Sequence, residues 1–328
     1  MDQNLRESID KSKFKSILEK YQSAARENRK SVEITPNQVI TFHKKGKSLN
    51  DFKRFEEAIK YFNKAIEIDP NDPMIHYNKG YSLHSLKKFE DAIECYDKAI
   101  QTNPNSSQFH NNKGISLRNL RRYEEAIECY NKAIELDPSE AASYINKGYA
   151  LHNLKRYEEA IKCYDKALEI DPKESSANFN KGITLDELKR YQEAAECYNA
   201  VIEYDSYDQA ACFRKGESLR NLARYEEAIV CYDKVIDLDP LYSCAFYNKG
   251  RALRSLNKFE EAIKCYNRAI EINPKYSFAY NNKGAILQLL HRWKEAIQCY
   301  DRSIELNPNN VNAIKNKEMC LKKLESIK

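Results

Sequence analysis

Residues 73–106 read PMIHYNKGYSLHSLKKFEDAIECYDKAIQTNPNS, and the chain repeats this pattern eight times with variations. The glycine of this stretch is one of eight in the 328 residues, and all eight fall 34 residues apart: Gly46, Gly80, Gly114, Gly148, Gly182, Gly216, Gly250 and Gly284. Glycine inside a helix costs about 1 kcal/mol relative to alanine. A residue kept once per period and used nowhere else therefore answers one recurring steric demand. A fixed period of this length marks an array of small structural units, not a globule.

With glycine placed at position 8, the units begin at Val39, Pro73, Ser107, Ala141, Ser175, Gln209, Ser243 and Ser277. Proline holds position 32 in seven of the eight units, from Pro70 to Pro308, and ends a helix there. Positions 4, 8, 11 and 14 mark one face of a first helix, and positions 17, 20, 21, 24, 27 and 28 mark one face of a second. Position 11 is always leucine, position 17 always aromatic and position 20 always alanine, while position 24 is Phe62 once and tyrosine in the other units. The pattern predicts antiparallel helix pairs in which the glycine of the first helix faces the alanine of the second and the aromatics fill the gap to the next unit. Helices of about 14 residues are marginal alone, so stacking along the array supplies their stability.

Glycine at 8, aromatics at 17 and 24, alanine at 20 and proline at 32, all present in Gly80, Phe89, Tyr96, Ala92 and Pro104, resemble the tetratricopeptide repeat. The resemblance implies an all-α fold, a right-handed α-solenoid superhelix whose first helices line a concave wall, and a scaffold or adaptor that binds protein segments there. The expected organisation is an N-terminal helical segment over 1–38, eight repeats over 39–310 and a capping helix over 311–328. In the N-terminal segment, Tyr21, Ala24 and Pro36 keep the phases of a degenerate repeat, and in the cap Glu318 takes the place of glycine. Position 7, large and apolar in the family, is lysine in all eight units, from Lys45 to Lys283. Its stem is expected to pack while its ammonium snorkels to solvent.

The 54 lysines and arginines against 49 acids leave a net charge of +5, too mild to require a polyanionic partner. Charges interrupt Met1–Arg29 every few residues, so neither a leader nor a membrane span is read there, and a cytoplasmic location is expected. Seven of the ten cysteines share position 23, from Cys95 to Cys299. Equivalent atoms in stacked helices lie about 10 Å apart, beyond the roughly 7 Å Cα separation a disulfide bridges, so these cysteines read as free thiols. The sequence holds no CxxC pair, phosphate loop, nucleophile elbow or HExxH, and no enzyme activity, metal or cofactor is expected.

At about 100° per residue, positions 2, 6, 9 and 13 lie opposite the packed stripe of the first helix and face the groove. Position 6 carries Asn78, Asn112, Asn146, Asn180, Asn248 and Asn282, continued by Asn316 in the cap and broken by Lys44 and Arg214. An amide both donates and accepts, which suits the backbone of an extended peptide of any sequence; the row is similar to the asparagine ladders of long tetratricopeptide superhelices. Positions 5, 9 and 12 vary and are expected to set selectivity: Tyr77, Tyr81, Arg118, Tyr149, His152, Arg220, Tyr247, Arg251 and Arg254 make the groove aromatic and basic. Asp186 and Glu187, with Glu217, interrupt it with an acidic band. The expected ligand is therefore a protein or peptide segment with acidic flanks and a basic centre. The clamp by which cochaperones of this family grip an acidic C-terminus needs lysine at 5 and asparagine at 9, then asparagine and basic residues at 2 and 6 of the next two units. No three consecutive units supply it, so a chaperone tail is not the expected partner. Two alternatives remain at this level: a structural subunit held by its convex face or ends, and an RNA-binding solenoid.

Overall fold

The computed structural model describes residues 36–327, and all seventeen regular elements among them are α-helices. The extra unit expected upstream, with Tyr21 and Ala24, lies outside the described residues. From the second unit on, the first helix runs over positions 1 to 13 and the second over positions 17 to 30, as in Pro73–Ser85 and Phe89–Thr102. The helix of the first unit begins earlier, at Pro36.

The turns follow from local chemistry. Position 15 closes the first helix in the left-handed region at every unit: Lys53, Lys87, Arg121, Lys155, Lys189, Ala223, Asn257 and His291 have φ between 57° and 60°. Around it, Lys87 N donates to His84 O (2.8 Å) and Lys88 N to Leu83 O (2.9 Å), satisfying carbonyls that the helix end leaves open. The second helix then starts with acids in its first turn, such as Glu158 and Glu159, which the positive end of the helix dipole favours. At its far end an Asp or Asn precedes the proline and its side chain accepts the N–H two residues on, as Asp69 does from Asn71 (3.1 Å).

The described residues fall into two compact bodies, 36–120 and 121–327. Within each body consecutive helices pack on one another, and the first helix of a unit also touches the first helix of the next. The second helices stand farther apart and meet through side chains at their starts, as where Arg224 donates to Gln192 (2.9 Å) and Arg190 pairs with Glu158 (3.5 Å). First helices thus stand side by side along each body.

The glycine meets something other than the expected alanine. A Cβ built on Gly46 would lie 2.5 Å from Cε1 of Phe62, and one on Gly148 or Gly182 would lie 2.6 or 2.7 Å from the same atom of Tyr164 or Tyr198. The position-24 ring of a unit's own second helix lies against its glycine, and these rings are the largest fully buried side chains. Alanine at position 20 is also completely buried, but the glycine makes room for the ring. Gly46 has this contact with Phe62 and Gly284 with Tyr300, so it recurs in both bodies.

Position 7 also departs from expectation. The lysine ammonium does not simply reach solvent; it clasps position 25 of the preceding second helix, with Lys113 on Asp97 (2.5 Å), Lys181 on Asp165 (2.6 Å) and Lys249 on Asp233. These lysine side chains are about a quarter exposed, so the pairs tie neighbouring units instead of decorating the surface. In sequence, position 25 alternates Asn63, Asp97, Asn131, Asp165, Asn199, Asp233, Asn267 and Asp301, so every second clasp is ionic.

All ten cysteines are free, and burial pushes the Cys197, Cys231 and Cys265 thiols up to about 11. They are protonated packing groups at neutral pH and poor nucleophiles. No helix among the described residues is long and apolar enough to cross a membrane.

Candidate functional site

The position-6 asparagines stand partly exposed on the first-helix wall, except Asn248, which is buried. Four of the seven amides are tethered to their own helix: Nδ2 donates to the carbonyl four residues back, from Asn78 to Met74 (2.8 Å), Asn112 to Gln108 (2.9 Å), Asn180 to Ser176 (2.8 Å) and Asn248 to Cys244 (3.0 Å). The tether fixes the rotamer and reserves part of the donor capacity, so the row presents oriented amide edges. Some amides are committed further. Asn112 Nδ2 reaches the Tyr77 hydroxyl (3.3 Å) and Asn282 Nδ2 the Tyr247 hydroxyl (2.9 Å). Asn316 continues the row in the capping helix beside the Tyr300 hydroxyl.

The structure gathers other sequence-level candidates into three clefts. In the first body, Tyr77, Asn78 and Tyr81 line one of about 460 Å³. In the second, Tyr149, His152 and Asn180 line one of about 110 Å³, and Arg214, Glu217 and Asn248 line one of about 580 Å³ with Phe179, Phe213 and Tyr242. Tyr81 and Tyr149 at position 9 and Phe278 at position 2 are exposed aromatics of the wall, at 43%, 39% and 57%. Arg214, Arg254 and Glu187 are exposed, and Arg118 is half-buried.

Two expectations need correction. Tyr77 is buried, stacked on Phe109 at 5.1 Å, so it contributes its hydroxyl edge and not its face. Position 12 is not a free selectivity position in four of the units, because its side chain is committed to a hydroxyl at position 10 of the next unit. Asn50 Oδ1 accepts from Ser82 (2.7 Å), His84 Nδ1 bonds Ser116 Oγ (2.8 Å), His152 Nδ1 bonds Thr184 Oγ1 (2.9 Å), and Asp186 Oδ1 accepts from Ser218 (2.6 Å). The Ser116 and Thr184 hydroxyls also donate to the position-6 carbonyls, Asn112 and Asn180, so the neutral histidine presents Nδ1–H. Where position 12 is arginine, the sequence supplies no hydroxyl: Arg118, Arg220 and Arg254 precede Ala150, Ala252 and Ile286.

Burial sets the ionisation of this wall. It lowers the pKa of His84, with Arg118 acting in the same direction, and it lowers His152 against the pull of Glu187. Burial raises the Asp186 carboxyl, opposed by the hydrogen bonds from Ser218 and Tyr198, and raises Glu217, opposed by Arg214 and Arg220. The acidic band therefore holds two desolvated carboxyls, with Glu217 accepting from Arg214 at 3.4 Å.

Sequence reasoning missed the residues at position 34. Asp72, Glu174 and Asp208 cap the next helix with their side chains there, whereas Tyr242 and Tyr276 make no cap bond. Losing such a cap costs about 1 kcal/mol. The rings turn instead onto the wall aromatics, with Tyr242 edge-on to Phe213 at 5.4 Å and Tyr276 over Tyr247 at 4.9 Å. The signal was present in sequence as two tyrosines in a row of helix-capping residues.

Helix pairs with a one-sided wall of repeated side chains define a repeat protein built for contact along its length, and the sequence families agree. Tetratricopeptide repeat profiles match residues 73–106, 111–175, 163–196, 209–242, 243–276 and 277–310, and a TPR repeat profile matches 46–87. The chain belongs to the tetratricopeptide repeat family. Among solved structures it is similar to YrrB, a TPR protein with an unusual peptide-binding site, at 28% identity over 58% of this chain and 98% of that one, with a TM-score of 0.54. Pseudomonas aeruginosa pilF shares the fold at 20% identity over 62% and 93% of the two chains (TM-score 0.55). The Cut9–Hcn1 hetero-tetramer of the APC/C does so at 18% over 84% and 54% (TM-score 0.52). No curated protein matches the chain.

Proposed function

We propose that the chain is a protein-interaction scaffold that holds an extended peptide segment along its first-helix wall, with the asparagine row as the register. The observation that carries this reading is the row itself: asparagine at position 6 in six of the eight units, with four of the amides oriented by a hydrogen bond to their own helix. Orientation before binding lowers the entropy lost on binding, and an amide edge pairs with peptide backbone in any sequence. Likeness to YrrB, a protein with a peptide-binding site, supports the same reading. It has no catalytic role in this account.

The test uses peptides selected from a displayed library on the immobilised full chain. Changing Asn146 and Asn180 of the second body together to alanine should weaken the selected peptides at least tenfold while the melting temperature moves by about 2 °C or less, since exposed side-chain bonds have modest net worth. Unchanged affinity in the double variant would reject the row as the binding element. A second reading, assembly through an edge, rests on Tyr204, Tyr207 and Leu241, which are 69%, 75% and 67% exposed off the wall.

A further inference from the structure

We infer that units six and seven form an acidic-side-chain subsite within the groove, in which Arg220, Arg251 and Arg254 take the aspartate or glutamate carboxylates of the bound segment; this rests on the peptide-groove reading above.

Three independent features lead there. The first is the ion-pair pattern. Arginines at the start of the second helices are spent on the glutamate three residues on, as in Arg156 with Glu159 and Arg224 with Glu227 (both 2.6 Å). Arg220, Arg251 and Arg254 have no carboxylate partner among the described residues, and the nearest acid on the wall, Glu217, is held by Arg214. Arg220 Nε is enclosed and its side chain lies beside the Tyr232 hydroxyl, so the guanidinium is held in place at the wall.

The second is the exchange between positions 12 and 10. Elsewhere the position-12 head is consumed by the hydroxyl of the next unit, but Ala252 and Ile286, both fully buried, offer Arg220 and Arg254 nothing to bond. The Arg220 and Arg254 heads therefore have no position-10 partner in the next unit, and Arg254 is exposed.

The third is the tyrosine pair that replaces helix caps. Tyr242 and Tyr276 extend the aromatic lining over the same two units. Arg251 stacks over Tyr247 with its guanidinium carbon 5.7 Å from the ring centre, and it donates to Asn248 Oδ1 (3.3 Å), which ties it to the asparagine row. Burial raises the Tyr247 hydroxyl, and all three arginines lie near enough to oppose that rise, so they share one neighbourhood. Planar guanidinium forks match carboxylates two bonds at a time. The expected ligand from sequence alone had acidic flanks, and this places one flank.

Fluorescence anisotropy of the full chain with a labelled twelve-residue peptide rich in Asp and Glu, against its Asn and Gln counterpart, tests the inference. The acidic peptide should bind at least tenfold tighter at low salt. That preference should vanish in the Arg220→Gln, Arg251→Gln, Arg254→Gln variant and persist in a charge-matched control, Lys258→Gln, Lys264→Gln, Lys275→Gln. Equal loss in the control would reduce the effect to net charge and overturn the subsite. An oligoribonucleotide of the same charge that binds as tightly through the same arginines would overturn the peptide assignment in favour of a general polyanion. If library-selected neutral peptides bind through the asparagines while no acidic preference exists, the subsite fails and the groove reading stands. If no peptide of any charge binds, both fail.

Discussion

The eight glycines report one contact each, and where the contact is resolved it is with an aromatic ring. At Gly182 an added methyl would lie 2.7 Å from Cε1 of Tyr198, and that ring is completely buried, with no room to tilt. Gly182→Ala should therefore destabilise the second body by about 1–3 kcal/mol despite alanine's better helix propensity, measured by denaturant unfolding. Tyr198→Leu in the same chain should make the alanine cost less than it does alone; strict additivity would refute the ring contact. The opposite sign applies at position 15. Ala223 sits at φ 59° without a side chain that bonds anything, so Ala223→Gly should stabilise by about 0.5–1 kcal/mol, a rise in denaturation midpoint that a right-handed backbone there would not give. The sequence made the need for glycine legible but not its partner. Period and phase say that something passes close by, whereas the choice between a small alanine and a large ring depends on side-chain direction, which a helical wheel does not carry.

At the scale of elements, helix lengths, turns and pairing were all readable, because apolar period, proline and the repeated phase agree. What the pattern hid was the polar stitching between units. Lysine at 7 looked like a solvated departure from the family and is a clasp on position 25. His152 looked like a groove residue and is bonded to Thr184 across 32 residues of sequence. The covariation that reveals it, hydroxyl with Asn, His or Asp and Ala or Ile with Arg, is visible in the letters once packing says which two positions to compare. A double-mutant cycle of His152→Ala and Thr184→Val should give a coupling of about 0.5–1.5 kcal/mol; zero coupling would remove the stitch.

The same histidines make stability depend on pH. Burial lowers the folded-state pKa of His43, His84 and His152 below the ordinary 6.5. The unfolded chain then holds more protons in the window below 6.5, and stability falls as pH drops through it. Melting temperature should decline from pH 7.5 to pH 5.5, and His84→Gln with His152→Gln should flatten the decline. Asp186 and Glu217, raised by burial, act with the opposite sign at more acid pH, where their protonation relieves a desolvation cost.

For the whole molecule, we propose that the first-helix wall, and not the second helices, meets the partner. Family and fold were legible because eight copies of one pattern average away local ambiguity. The first-helix wall was legible in outline, since the asparagines recur at one position of the first helix, but the hydrogen bonds made within the wall were not. Tyr77 and His152 serve packing, and Tyr242 and Tyr276 serve the wall from positions that elsewhere cap helices. The direct test places a photo-crosslinking residue at Asn180 on the wall in one variant and at Glu196 on a second helix in another. Each variant is irradiated with a library-selected peptide. The account predicts peptide adducts at Asn180 and none at Glu196; adducts at Glu196 with none at Asn180 would contradict it.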